Sequence, residues 1–430
     1  MELSLPEVQC VLRGRRGSPL RLGRCVMLSK KRVHSFRVVV AVLAVAFFVF
    51  GTVASHAASE PKKIRVGLLV GLTGWFSVPG NIELTECKTA TEMVNDRGGV
   101  TIKGEKYLID LVPEDMKSSN EGTTAAVNKL IYDDKVQFII GPSAFWGPAS
   151  APLCEANKMI NVLGYCANTP GELDKNTPHR LLAEDGTMGH TYALIKFIKK
   201  NHPNVKSVAI VNADDGAVPY LKPLIAKALQ ENGISVAGDW VLFPNELVDF
   251  SPIASKLAAV KADAIFHPNG IDRHVGPILK GLRETGDERW YFYAGVSPCS
   301  NIKTFAGAGA RKVVSLAPTP GAPGNPPQLE EFIKKYFAKS KPGAALIIQN
   351  SSAAYVLPQI LQAAQSLNAD DILKALPKIG NVETLWGPGH MAGEKTYGIR
   401  NAVVHPLPSQ YLDDKGVQKF GGWMTDVNVP

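Results

Sequence analysis

No stretch of this sequence is long and apolar enough to span a membrane. The longest apolar run, Val38 to Phe50, is about 13 residues, short of the roughly 20 that cross a bilayer as a helix. The spacings of metal chemistry are missing too. Six cysteines occur without a CxxC pair or a Cys/His ligand pattern, so neither a metal site nor a cofactor is expected. Catalytic signatures do not assemble. Gly141-Pro142-Ser143-Ala144-Phe145 lacks the second glycine of a nucleophile elbow. Gly307-Ala308-Gly309-Ala310 stands ahead of a strand pattern instead of between strand and helix, as a dinucleotide loop would require. Asp214-Asp215 reads as a polar turn.

Excess positive charge is absent from most of the chain. The total of 47 Lys/Arg against 39 Asp/Glu gives +8, but residues 1–57 hold nine basic and two acidic residues. The remainder has 38 and 37 and is near neutral, so no footprint for nucleic acid or anionic lipid is present.

What is there begins with an export pattern. Basic residues (Lys30, Lys31, Arg32, Arg37) precede the apolar run, and Ser55-His56-Ala57 places small side chains where a signal peptidase reads them. Residues 1–57 are therefore expected to be leader and signal peptide, with Met27 as the start and residues 1–26 an over-extended start site, and the protein released into the periplasm; an uncleaved anchor is the alternative. No lipobox cysteine follows the run. Cys87, Cys154, Cys166 and Cys299 remain, and an oxidising compartment permits a disulfide among three full pairings, with buried free thiols as the other reading.

From Ile64 onward the sequence alternates strand and helix patterns. Strands are expected at Ile64–Val70, Tyr107–Val112, Val136–Ile140 and Ile160–Leu163, with helices at Ile82–Asn95, Thr123–Tyr132 and Pro148–Asn157. After Thr187 the rhythm restarts, with strands at Ser207–Val211, Ser235–Phe243, Ala264–His267 and Trp290–Ala294 separated by helices. Leu329–Ala338 and a long amphipathic Ala345–Ser366 follow as helices, and the chain beyond Gly387 turns β-like. The expected fold class is α/β, with two doubly wound parallel-sheet lobes. The first lobe is expected at 58–185, the second at 186–312 and a return to the first at 313–390. Residues 391–430 are expected mainly in the second lobe and hinge.

Ligands of open α/β sheets bind at the carboxyl ends of the strands. Ser143, Ala144, Phe145 and Trp146 lie there, just before a helix whose free N–H groups favour an anion; Ser143 as an ordinary helix cap is the alternative. Trp75, Phe76, Tyr165 and Tyr220 fall in other loops on the same rim, where flat apolar side chains form a slot for a ring or aliphatic body. Asp272 and Arg273, with His267 and His274 close by, are further candidates. Arg273 can pair with an anionic group or be the solvated start of the next helix.

Several short motifs in this order resemble the leucine/isoleucine/valine-type (type I) periplasmic solute-binding proteins of ABC transporters. They are Gly71-Leu72-Thr73-Gly74, Ile140-Gly141-Pro142-Ser143, Ala167-Asn168-Thr169-Pro170-Gly171-Glu172-Leu173, Asp249-Phe250-Ser251 and Leu282-Arg283-Glu284-Thr285-Gly286. The resemblance implies two lobes joined by a three-strand hinge, closing on a solute and then docking on a membrane permease. It implies a monomer without enzymatic activity. It also implies that Ser143–Trp146 hold a ligand carboxylate, that Ala167, Asn168 and Thr169 contact the head group, and that Trp75 or Phe76 packs on the ligand.

Two positions depart from the family pattern. Ala217 stands where a second-lobe aromatic is common, with Tyr220 nearby, and Val296 stands where an acid would bind an α-ammonium. A buried ammonium without its acid is costly, so a small carboxylate with an apolar, aromatic body is the expected ligand. The alternatives are a branched-chain or other amino-acid or amide receptor, a cleft enzyme using the Asp214/Asp215 or Cys166 region, and a ligand-sensing regulator.

Overall fold

The computed structural model describes residues 12–13, 19–20, 61–142, 146–165, 169, 171–184, 186–341 and 344–425. Two compact units are present, Met1–Glu60 and Pro61–Pro430. In the first, Leu12–Arg13 pairs antiparallel with Pro19–Leu20. The expected leader core and cleavage site lie outside the described residues.

The second unit opens with β1 (Lys62–Val70), a run whose inner residues are buried on both faces, as expected for a central parallel strand. It continues through α1 (Ser77–Asp96), β2 (Val100–Ile102), β3 (Glu105–Asp115), α2 (Asn120–Asn128), β4 (Phe138–Ile140), α3 (Gly147–Ala156), β5 (Asn161–Leu163) and β6 (Arg180–Leu182). The chain then crosses to a second sheet through α4 (Gly186–Asn201), β7 (Ser207–Ala213), α5 (Val218–Glu231), β8 (Ser235–Val236), β9 (Val241–Phe243) and α6 (Ser251–Ala259). That sheet is extended by β10 (Ala264–His267), α7 (Asp272–Glu284), β11 (Trp290–Tyr293), α8 (Cys299–Ala306) and β12 (Val313–Ser315). Next come α9 (Pro327–Lys339), α10 (Gln349–Ala364), α11 (Ala369–Ala375), β13 (Asn381–Thr384), β14 (Gly387–Ala392), α12 (Glu394–Tyr397), β15 (Ala402–Val404), β16 (Leu407–Leu412) and β17 (Gln418–Met424).

The first sheet has nine strands in the order β13-β14-β15-β6-β5-β4-β1-β3-β2, parallel from β15 through β3. The second runs β8-β7-β10-β11-β12-β16-β17, with β9 also on β7, and is parallel through β12. The chain passes between sheets after Leu182, after Ser315 and between Val404 and Leu407, so three crossovers join two doubly wound lobes. Residues 391–430 are shared, with β15 in the first sheet and β16 and β17 in the second.

Alternation along each second-lobe strand explains why both faces carry helices. Val208 and Ile210 join one buried cluster, while Ala209 and Val211 join the cluster on the opposite face. Each such Val, Leu or Ile contributes roughly 1.5–3 kcal/mol when fully buried.

Some expected elements differ. The strand read at Ser235–Phe243 is two short strands, broken at Gly238, whose φ of 67° turns the chain. The helix read from Ala345 starts at Gln349, and its residues Asn350 to Pro358 are all buried, so it runs through the lobe interior instead of along its surface. Cys87, Cys154 and Cys299 are free and buried, and burial raises each thiol; Cys166 lies outside the described residues. Among the described residues no helix is long and apolar enough to cross a membrane.

Candidate functional site: the interlobe cleft

Each sheet reverses its strand order beside its first strand, β1 or β7, and the carboxyl ends of both face a cleft of about 590 Å³. The first lobe contributes the turn into α1, Tyr165 and the approach to α10. The second contributes the loops after β9, β10 and β11 and one side of α8.

The first wall is held from below. After β1, the carboxylate of Asp115 accepts bonds from the Leu72 and Thr73 N–H groups (2.9 and 3.2 Å) and from the Thr73 hydroxyl (2.6 Å). Burial opposes its ionisation, but these bonds, with one from Lys117, hold the carboxyl below its ordinary value. The loop so fixed presents Trp75 and Phe76 to the cleft. Trp146 packs on both, with ring centroids 5.6 and 5.3 Å away, and does not line the cleft itself. Ile271 of the second lobe packs against this aromatic group, and the Arg273 guanidinium lies 5.9 Å over the Trp75 ring, so the two lobes touch across the cleft here.

The other part of this wall is set by two buried acids on α1. Glu86 accepts the N–H groups of Ile347 (2.6 Å) and Ile348 (2.8 Å), and Glu83 accepts from the Asn350 amide (3.0 Å). Ile348 sits at φ 57°, where the chain turns into α10. Burial pushes Glu86 up to about 8 against the pull of its two N–H donors. Gly164 permits close approach from the opposite side, since a Cβ there would meet the Gln349 carbonyl carbon at 2.4 Å.

A polar chain that includes the cleft-lining Tyr165 and Asn269 links the lobes. The Tyr165 hydroxyl is 2.5 Å from Thr187 Oγ1 and 3.5 Å from Asn269 Oδ1. The Asn269 amide donates to Asp215 (3.0 Å), and the Asn269 N–H donates to the Asn212 side chain (2.9 Å). Burial pushes Asp215 up to about 6. Asp214 beside it is exposed, and its charge adds to the rise.

The cleft thus brings together Trp75, Phe76, Tyr165, Asp272, Arg273 and Val296. Other candidates sit elsewhere. His267 ends a central strand and is fully buried, with Nδ1 2.7 Å from the Tyr291 hydroxyl, and burial lowers it to about 3. His274 is also buried, facing the Asn245 carbonyl at 3.0 Å. Ala217 caps α5 from a buried position, its N–H donating to Asp215. Tyr220, one turn further, is 46% exposed and outside the cleft lining. Thr169 bonds the Glu172 carboxylate through its N–H and hydroxyl (3.0 and 2.9 Å). Ser143, Ala144, Phe145, Ala167 and Asn168 lie outside the described residues. No His/Cys/Asp/Glu group among the described residues could hold a metal ion.

Glu83 and Glu86 escaped notice because an acid on a helix is ordinarily solvated, and Asp215 was singled out only as half of a polar turn or of a cleft-enzyme pair. Glu83 with Cys87 and Ala90, and Glu86 with Ala90 and Met93, do share the spacing of the buried stripe, which is the signal that was available.

Two lobes, three crossovers and a closed-in cleft at both sets of strand ends define a hinged binding protein. Comparison with known proteins places it further. The periplasmic binding protein family model matches residues 63–413, and the chain belongs to that family, in its leucine/isoleucine/valine-binding, type I branch. It is 27% identical over 213 residues to the Leu/Ile/Val-binding protein BraC3 of Rhizobium johnstonii, a match covering 48% of this chain and 56% of that one. It is 24% identical over 345 residues to Leu/Ile/Val-binding protein homolog 3 of Brucella melitensis biotype 1, covering 79% and 89%.

Among solved structures, LivJ of Streptococcus pneumoniae with isoleucine superposes with a TM-score of 0.66 at 18% identity, over 84% of this chain and 99% of that one. A Rhodopseudomonas palustris solute-binding protein with 4-hydroxybenzoate gives 0.68 at 19%, over 85% and 98%. These two likenesses concern the fold, which is that of substrate-binding receptors.

Proposed function

We propose that this protein is the periplasmic solute receptor of an ABC importer and binds a small carboxylate with an apolar, aromatic body between its lobes. The observation that carries this reading is the cleft wall itself: Trp75 and Phe76 on one side face Leu247, Phe250 and Val296 on the other, a slot suited to a flat ring. Val296, apolar and buried, stands where an acid for an α-ammonium was expected. The carboxylate is assigned to the loop ahead of α3, residues 143–146, and the head group to residues 167–169. Export by a cleaved leader, action as a monomer without catalysis and docking on a permease belong to the same proposal.

Binding acts through closure. A solute touching both walls favours the closed arrangement, and only that difference in affinity shifts the lobes. A second reading, an amino-acid receptor, is favoured by Asp272, which offers an acid in the same cleft from a different element. The deciding experiment is mass spectrometry of ligand released from denatured protein, with a thermal-shift panel of amino, aromatic and keto acids. Recovery of an aromatic acid, with stabilisation by it, is the expected result. Stabilisation by leucine or valine and none by aromatic acids would overturn it.

A further inference from the structure

Among the described residues lining the cleft, two carry charge, Asp272 and Arg273, adjacent at the start of α7. Arg273 is already engaged: its guanidinium covers Trp75, and Nη2 donates to the Asn245 carbonyl at 3.0 Å. Asp272 is engaged on two sides. Oδ2 accepts from the Asn301 amide at 2.9 Å, and Oδ1 accepts from the N–H of Arg273 at 2.9 Å. An ionised carboxylate accommodates about four donors, so these contacts leave acceptor capacity on a residue that lines the cleft.

Among the described residues no further donor to Asp272 is recorded. The nearby Tyr293 hydroxyl donates to the Gly270 carbonyl at 2.6 Å, which commits its proton elsewhere. The rest of the wall is largely apolar, so a ring without a donor would strip water from Asp272 and return nothing. Burial already pushes this carboxyl up, with the Asn301 amide opposing, which expresses the same desolvation.

We propose that Asp272 selects ligands carrying a hydrogen-bond donor, a ring hydroxyl or an amino group, in addition to the anchored carboxylate. The inference rests on the proposed carboxylate-receptor reading and adds a second polar contact made by the second lobe. That placement matters, because a donor bound to Asp272 ties the ligand to the wall that moves on closure. Asp272 would thereby occupy the role that Val296 does not fill, from the end of a different strand.

The test compares carboxylates with and without the donor by calorimetry on the full mature chain. The pairs are 4-hydroxybenzoate against benzoate, and leucine against 4-methylpentanoate. Wild-type protein is expected to prefer the donor-bearing member of the pair it binds by about 10-fold or more, the range of a hydrogen bond to a charged group. Asp272→Asn, which keeps the shape and the Asn301 neighbour, is expected to reduce that preference to about 3-fold or less while leaving the donor-free acid unchanged or tighter. Asp272→Ser, smaller and uncharged, is expected to do the same, and unfolding curves confirm that both variants fold. Binding of the leucine pair alone with the preference intact overturns the aromatic reading and supports the role of Asp272. Equal affinity within each pair for wild type, or a preference that survives both substitutions, overturns the role of Asp272. Binding of none of the four acids overturns both.

Discussion

The buried carboxyl of Glu86 is expected to make the stability of this protein fall as pH rises through the range just above neutrality. Its carboxyl is fully buried on α1 and pushed up to about 8 from an ordinary 4.5. The folded protein therefore holds a proton that the unfolded chain has released. Stability from this group is intact below the unfolded value and is lost as pH climbs through the folded one. Linkage with these two values gives a loss of about 5 kcal/mol over the whole range and about 2 kcal/mol between pH 6.5 and 9. The upper part of the range isolates the effect, because the buried histidines are neutral in both states there. Glu86→Gln removes the titration. It keeps an acceptor for one of the two N–H groups of Ile347 and Ile348 and turns a donor toward the other, at a cost of about 1–3 kcal/mol. Urea unfolding of wild type and variant at pH 6.5, 7.5, 8.5 and 9 should show wild type losing about 2 kcal/mol relative to the variant. Parallel curves, with the two proteins separated by a constant offset, would refute the reasoning.

Three further outcomes are expected. Burial lowers His190 and His267 to about 3 and His405 to about 4, so the unfolded chain takes up protons first and stability falls as pH drops below 6.5. Measured in the Glu86→Gln background, each histidine should contribute about 1.4 kcal/mol per pH unit, and His267→Gln should remove one such share. A flat acid limb contradicts this. Gly164→Ala should cost about 1–3 kcal/mol and weaken ligand binding, because its Cβ meets the backbone of Gln349 and must displace the start of α10; unchanged affinity in calorimetry would show that this wall does not touch the ligand. Trp75→Ala should weaken binding about 10-fold or more by removing both the ring and its contact with Arg273, whereas Tyr220→Ala should change it by less than about 2-fold. Equal effects would put Tyr220 at the site.

Much of the architecture was legible because it is written in local periodicity. Runs such as Ile64–Val70 and Ala264–His267 are mostly apolar and include β-branched residues, which suits strands covered on both faces, and the intervening helices carry recognisable stop signals. Residues 381–384 were not read as a strand, and 387–392 and 407–412 were read only as part of a β-like stretch without strand limits. Gly387, Pro388, Gly389 and Pro408 interrupt their apolar pattern. While β13–β14 and β16–β17 pair as local antiparallel hairpins, β16 is also held by β12, far away in sequence. The helix α10 was read, but its buried Asn350, Ser351 and Ser352 look like a solvent face, whereas its exposed residues lie near its end, at Gln362 and Ala363.

The site divides along the same line. Strand-end loops placed Trp75, Phe76, Tyr165, Asp272 and Arg273 near one rim from sequence alone, and these residues line the cleft. His267 and Trp146 belong to the same loops or strand ends, yet packing turned one into the sheet and the other behind two aromatics.

The amino-acid sequence by itself determined the class of fold, the count of lobes and the set of loops that could meet a ligand, because these follow from hydrophobic period and turn chemistry over a few residues. Tertiary structure alone decided which side chains in those loops face the cleft, and that buried Glu83 and Glu86 brace its wall. It also decided that Asp272 stands in the cleft from which Val296 withholds a charge. Those outcomes depend on burial and on partners more than 200 residues away, such as Asn350 for Glu83 and Ile347 for Glu86, and no local pattern records them.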